Sequence, residues 1–173
     1  MEIPRFAGGW SYTQAEMTEL FKHINYPDTY SILEFGSGAS TVLLYNHFKK
    51  YVRDLKFVTY ESNRSFLIEN SDIQYIYYND AEIEKVIIPE GPYDLVLVDG
   101  PNGDKRSLWY EKIRSVVKPG TILLIDDFNH YKCFSDELDR NFNYEILSHH
   151  EEPFVPYGEH SWKIVKVNSL RHI

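Results

Sequence analysis

Two hydrophobic periods alternate along the chain: short runs that are apolar at nearly every position, and stretches in which apolar residues recur every three or four positions. Thr13 to Ile24 is of the second kind, with Met17, Leu20, Phe21 and Ile24 on one face and Asn25 and Pro27 to stop it. Ser31 to Phe35 then reads as a strand. A Gly-Ser-Gly turn follows, and after it a helix from Ser40 to Tyr51 with Leu44, Phe48 and Tyr51 on a common face. Further strands are predicted at Lys56 to Tyr60, Gln74 to Tyr78, Tyr93 to Val98 and Thr121 to Ile125. Helical stretches are predicted around Arg64 to Asn70, Ala81 to Val86, Ser107 to Val117 and Asp136 to Phe142.

Leu95 to Val98 and Ile122 to Ile125 are apolar throughout, as central parallel strands covered on both faces must be. Strands alternating with helices predict an α/β fold with a doubly wound sheet. The last two strand-like segments, Tyr144 to His149 and Trp162 to Val167, have no helical stretch between them. They are expected to form an antiparallel pair joined by the loop with Pro153, Pro156 and Gly158. The sheet then has seven strands, mostly parallel with an antiparallel last strand, and helices on both faces. Residues 1–173 read as a single domain, with 1–30 as a helical lead-in.

Composition narrows the function classes. A net charge of −8 and pI near 5.3 argue against a surface that tracks phosphates and hence against a nucleic-acid partner. Cys133 is the sole cysteine, so neither an internal disulfide nor a thiolate-rich zinc site can form. No run approaches the ~20 apolar residues of a membrane span, and Met1 to Gly9 has no signal-peptide core; a cytoplasmic protein with no membrane association is expected.

The candidate chemistry lies at strand ends. Glu34-Phe35-Gly36-Ser37-Gly38-Ala39-Ser40-Thr41 follows a strand and opens a helix, the context of a Gly-rich nucleotide loop. Gly36 and Gly38 allow a tight turn and close backbone approach to a ligand, Ser40 or Thr41 can cap the helix, and the helix N-terminus favours an anion. Glu61 closes the next strand at roughly the twenty-residue spacing at which a carboxylate accepts both hydroxyls of a ribose; the competing reading is an exposed Glu capping the turn near Asn63. Asn79-Asp80 and Asp99-Gly100-Pro101 end the third and fourth strands, so four successive strand ends bring polar groups to one sheet edge.

With these motifs the chain resembles the class I S-adenosylmethionine-dependent methyltransferases, Rossmann-like enzymes, from about Ser31 to Phe128 and less closely through the terminal strand pair. The resemblance implies S-adenosylmethionine as cofactor. It makes Glu34, Gly36, Ser37, Gly38, Ser40 and Thr41 the loop at the methionine end, Glu61 the ribose ligand, Asn79 and Asp80 the adenine end, and Asp99 a residue beside the sulfonium. Ser40 stands where the family often has a third glycine. Gly36 to Thr41 and Val98-Asp99-Gly100-Pro101 also resemble a branch that includes plant glucuronoxylan O-methyltransferases. A small-molecule or sugar hydroxyl is therefore the expected acceptor.

Transfer to oxygen needs a base or a metal near the methyl group. Asp99, Asp126 and Asp127 end neighbouring strands and are oxygen donors suited to Mg²⁺. That set is similar to metal-dependent catechol-type O-methyltransferases, with Asp127 at the amide position; the alternative is that these acids shape a turn and cap a helix. Asp99, Asp127, His130 and Lys105 are the catalytic candidates, His130 being the base if no metal is present. Lys105 and Arg106 could orient an anionic acceptor or balance the acids; His149, His150, Tyr157 and His160 could line its pocket; Trp10 and Tyr12 could cover the cofactor. So short a chain leaves the acceptor site open or completed by another subunit, a homo-oligomer.

Two competitors remain: a nicotinamide-dependent oxidoreductase, and a non-catalytic S-adenosylmethionine-binding partner subunit. Tyr45 and Lys49 have the Tyr-x-x-x-Lys spacing of a short-chain reductase, but they fall on the first helix after the loop, away from the strand ends.

Overall fold

The computed structural model describes residues 12–66, 70–101, 103–129, 132–154 and 158–172, with backbone alone over 151–154 and 158–160. Seven strands form one sheet: β1 (Thr29–Phe35), β2 (Asp54–Glu61), β3 (Gln74–Tyr77), β4 (Tyr93–Val98), β5 (Val117–Asp126), β6 (Phe142–Phe154) and β7 (Gly158–Leu170). Their order is β3-β2-β1-β4-β5-β7-β6, with β1 to β5 parallel to one another and β7 antiparallel to both β5 and β6. This is the doubly wound sheet with an antiparallel last strand that the sequence predicts. The order reverses at β1, which lies between β2 and β4, so the crevice at that point opens beyond the carboxyl ends of the strands.

Successive residues of the central strands enter opposite cores. Leu33, Val96, Val98, Leu123 and Ile125 pack with Trp109 and Ile113 of α3 (Leu108–Ile113) and with Phe134 and Leu138 of α4 (Lys132–Asn141). Ile32, Leu95, Leu97 and Leu124 pack with Met17, Leu20 and Phe21 of α1 (Gln14–Lys22) and with Leu44 and Phe48 of α2 (Ala39–Lys49). Burial on both faces is why these runs lack the polar alternation of a half-exposed strand.

α1 begins with a capping box: the Thr13 hydroxyl accepts from Glu16 N–H, and the Glu16 carboxylate accepts from Thr13 N–H. Three predicted helices differ from expectation among the described residues. Arg64–Phe66 and Asp80–Lys85 are 3₁₀ turns, and Ser107 to Val117 divides into a 3₁₀ turn, α3 and the start of β5. Tyr51 lies beyond α2 and is 39% exposed, so it does not share the buried stripe of Leu44 and Phe48. No helix among the described residues is long and apolar enough to cross a membrane.

Candidate functional site

The turn after β1 is built against the turn after β4. Asp99 and Gly100 N–H groups both donate to Phe35 O, at 2.9 and 2.7 Å, and Gly36 N–H donates to Tyr60 O at 2.8 Å. Gly36 has φ +97°, and a Cβ there would lie 2.8 Å from Gly100 N. Its glycine is therefore required by the seam between two turns rather than by ligand approach. Gly38 differs: its φ of 175° is extended, and a Cβ would meet nothing within 4 Å. The open space next to the loop is at Gly38, which is also the N-cap of α2. Thr41 does not cap the helix; from its first turn its Oγ1 accepts from Gly38 N–H at 2.9 Å and donates to Glu34 Oε2 at 2.9 Å. Ser40 is buried in the same turn.

Beside this seam is a cleft of about 280 Å³, lined by residues that include Gly36, Ser37, Glu61, Asp80, Asp99 and Arg106, with Phe66 and Tyr78 among its aromatic members. Glu61, 6% exposed, is held from two sides: Oε2 accepts from Ser37 N–H at 2.7 Å and Oε1 from Asn63 N–H at 2.7 Å. The capping reading is thus realised in part, since Glu61 caps the turn at Asn63 but is buried rather than exposed, and it also braces the Gly-rich loop, a role the sequence did not show. Asn79 caps the Asp80–Lys85 turn by accepting from Ala81 N–H, whereas Asp80 faces the cleft with its Oδ1 buried and without a partner among the described residues. Glu34 is fully buried beneath the loop. Its Oε1 has no hydrogen-bond partner among the described residues, and burial pushes its carboxyl up to about 8, against the Thr59 and Thr41 hydroxyls beside it that pull it down.

At the other wall, burial raises the Asp99 carboxyl well above its ordinary range; the neighbouring Asp126 adds to this and Arg106 opposes it. Arg106, 3% exposed, ties the turns after β4 and β5 together. Its Nε donates to Pro101 O at 3.1 Å, and its Nη1 donates to Asp126 O at 3.0 Å and Asp127 Oδ2 at 3.4 Å; Nη2 lies 3.9 Å from Asp99 Oδ1. The metal reading of Asp99, Asp126 and Asp127 does not fit this arrangement. Among the described residues no group of three or more Asp, Glu, His or Cys side chains is arranged to hold an ion, and the cation among these acids is the guanidinium of Arg106. Asp127 adopts φ 52° in the turn, the left-handed region that short polar side chains tolerate.

Of the other candidates, Lys105 is exposed and donates to Asp80 O at 3.3 Å. His130, Trp10 and Tyr157 lie outside the described residues, as does the side chain of His160. The β6–β7 hairpin does return to the cleft edge: Asp126 pairs with Trp162, and Phe128 and Asn129 N–H groups bond to Ser161. There His150 stacks on Trp162 while His149 is exposed. Tyr45 bonds Asp72 and Lys49 bonds Arg53 O, both on the body of the protein away from the cleft. Tyr12 is fully buried and faces Asp99, Glu34, Asp126 and Glu16, which together with burial keep its hydroxyl protonated. Phe66 and Tyr78 had no role at the sequence level beyond helix and strand; their signal was position, each lying within a few residues of a strand-end acid.

No family model matches the chain, and no curated protein matches it. Solved structures do. One is an O-methyltransferase from Bacillus cereus in complex with SAH, 17% identical, with TM-score 0.59 over 96% of this chain and 84% of that one. Another is an rRNA methylase from Streptococcus thermophilus, 14% identical, with TM-score 0.59 over 88% of this chain and 95% of that one. A protein from Pyrococcus horikoshii described as a transferase matches at 14% identity and TM-score 0.59 over 92% of this chain, which spans 65% of the neighbour's length. The chain thus has the Rossmann-like fold of the class I S-adenosylmethionine-dependent methyltransferases.

Proposed function

We propose that the cleft binds S-adenosylmethionine and that the chain transfers its methyl group to a hydroxyl oxygen of a small molecule or sugar. The observation that carries this reading is Glu61. Its carboxylate is fixed by two backbone N–H groups at the edge of the cleft, where its remaining lone pairs are placed to accept hydroxyl donors such as those of a ribose. The unpartnered Asp80 Oδ1 suits the adenine amino group, and Phe66 and Tyr78 supply apolar surface for the ring. The space at Gly38, the N-terminus of α2 and the unpartnered Glu34 Oε1 suit the amino-acid end, the first two its carboxylate and the last its ammonium.

Bound there, the cofactor supplies an electrophilic methyl group. Asp99 lies between the loop and Arg106, and a carboxyl that burial raises above its ordinary range is more basic and so suited to take the acceptor's proton. Arg106 keeps the Asp127 turn in register with Asp99. Lys105 and His130 stay candidates for orienting and deprotonating the acceptor. The acidic surface implied by a net charge of −8 favours a small or neutral acceptor over a polyanion.

The test is calorimetric titration with S-adenosylmethionine and S-adenosylhomocysteine, on the wild type and on Glu61→Ala, with NAD(H) as control. Binding of the adenosyl ligands, weakened by Glu61→Ala, is expected. Binding of NAD(H) in their place would replace the reading with an oxidoreductase. Binding without turnover across hydroxyl acceptors and structured RNA would leave a non-catalytic binding subunit.

A further inference from the structure

The acids at the ends of β4 and β5 raise a question of charge that stands apart from which cofactor fills the cleft. Asp99, Asp126 and Asp127 are crowded at two adjacent turns, and an unbalanced carboxylate cluster of this kind needs a counter-ion or a proton. Arg106 is the cation that meets them. Its guanidinium reaches Asp127 Oδ2 and the carbonyls of Asp126 and Pro101 by hydrogen bonds, and lies 3.9 Å from Asp99. It is fixed from the other side by Phe134, whose ring centroid is 5.7 Å from the guanidinium carbon. A planar fork with five donors can satisfy two carboxylates and two carbonyls at once, which an ammonium cannot.

We propose that Arg106 is a built-in replacement for a metal ion: a permanently charged side chain balances the strand-end acids from within the fold and so makes this site independent of metals. Arg106 lines the cleft, and its Nη2 makes no hydrogen bond to a described residue. A donor is therefore left for an oxygen of a molecule that enters. Arg106 is on this view a positioning residue that acts through the acids, and its defining property is mutual exclusion with a divalent cation.

Mn²⁺ is the probe. Its binding to the EDTA-treated, unliganded full chain is followed by calorimetry and electron paramagnetic resonance, and stability is followed by thermal melts with and without the ion. The wild type is expected to bind no Mn²⁺ at the cluster and to melt at the same temperature in EDTA and in Mn²⁺. Arg106→Met, which keeps the length and removes the charge, is expected to melt about 10 °C lower in EDTA. It should also bind one Mn²⁺, recover most of that loss at about a hundredfold excess over Kd, and lose the ion again when Asp99→Asn is added. An Arg106→Met chain that folds only with Mn²⁺ present meets the same expectation. Mn²⁺ bound by the wild type and released by Asp99→Asn overturns the proposal. So does an Arg106→Met chain that takes up no ion, whether it folds or stays unfolded in Mn²⁺. None of these outcomes depends on S-adenosylmethionine, so failure here and failure of the proposed function are separately visible.

Discussion

Glu61→Gln is isosteric, yet the structure predicts that it damages the protein before any ligand is added. Each carboxylate oxygen already accepts a short backbone hydrogen bond, Oε2 from Ser37 and Oε1 from Asn63, both at 2.7 Å. A glutamine has one acceptor and one donor, so in either amide orientation an NH₂ group confronts a backbone N–H. Hydrogen bonds to a charged partner contribute about 1.5–3 kcal/mol, and leaving a buried donor unpaired costs on the order of 1–3 kcal/mol. A net loss of about 2–3 kcal/mol follows, which for a chain of this size is a melting temperature lower by about 5–10 °C. Calorimetric melts and urea titrations of the unliganded variant measure it. Titration with S-adenosylhomocysteine then reads the second consequence, an affinity about 10- to 100-fold lower, as one or two charge-assisted hydrogen bonds to ribose are lost. A variant that melts within about 1 °C of the wild type refutes the bracing role of Glu61. A variant that is destabilised but binds the ligand unchanged keeps that role and refutes the assignment of the cleft.

The two glycines of the loop should respond oppositely. Gly36→Ala, strained at φ +97° with its Cβ 2.8 Å from Gly100 N, is expected to cost about 2–4 kcal/mol in urea titrations. Gly38→Ala, in extended backbone beside open space, should cost less than about 1 kcal/mol but weaken S-adenosylhomocysteine binding in calorimetry. Glu34 has a folded-state pKa of about 8, above its ordinary 4.5, so the stability it contributes is present below 4.5 and is lost as pH rises through about 8. Glu34→Gln should therefore match the wild type in acid and exceed it by on the order of 2 kcal/mol above pH 8, read from urea midpoints across pH. His47 runs the other way. Burial, then Lys50, lowers it from 6.5 to about 4, so the stability tied to its neutral form is lost as pH falls from 6.5 through 4; His47→Phe should flatten that part of the profile while losing the 2.8 Å contact with Tyr26.

What was legible in the sequence follows from which signals are local. The strands were, because Leu95 to Val98 and Ile122 to Ile125 are covered on both faces and carry no polar residue to confuse them. So was the polar edge, since a strand end, a turn and an acid are adjacent in the chain. The 3₁₀ turns at Arg64–Phe66 and Asp80–Lys85 were read as helices because a single turn shows too little periodicity to separate the two. Contacts between turns were invisible. Gly36 looked like a ligand glycine, and its real constraint is the backbone of Gly100. Arg106 looked like one of two loop cations; only folding separates it, buried among acids, from Lys105 on the surface.

The acids of this edge are neutralised in different ways, and each way indicates what a bound molecule can offer. The Glu61 carboxylate accepts from two backbone N–H groups, so a ligand need bring only hydroxyl donors and no cation. Asp99 and Asp127 are balanced internally by a guanidinium that cannot leave, so a neutral or cationic group can approach without the site having to bind an ion first. Glu34 has neither aid: it is fully buried, its Oε1 lacks a partner, and a proton is its means of neutrality in the unliganded chain. There, binding a positively charged ligand requires a proton to be released. S-adenosylmethionine and S-adenosylhomocysteine share the ammonium that would displace it, so both should bind more tightly as pH rises toward 8, and Glu34→Gln should remove that dependence from both. Titrations of the two ligands across that range, with wild type and variant side by side, test it. A dependence that survives in Glu34→Gln places the released proton on Asp99 instead, and with it the positive end of the ligand.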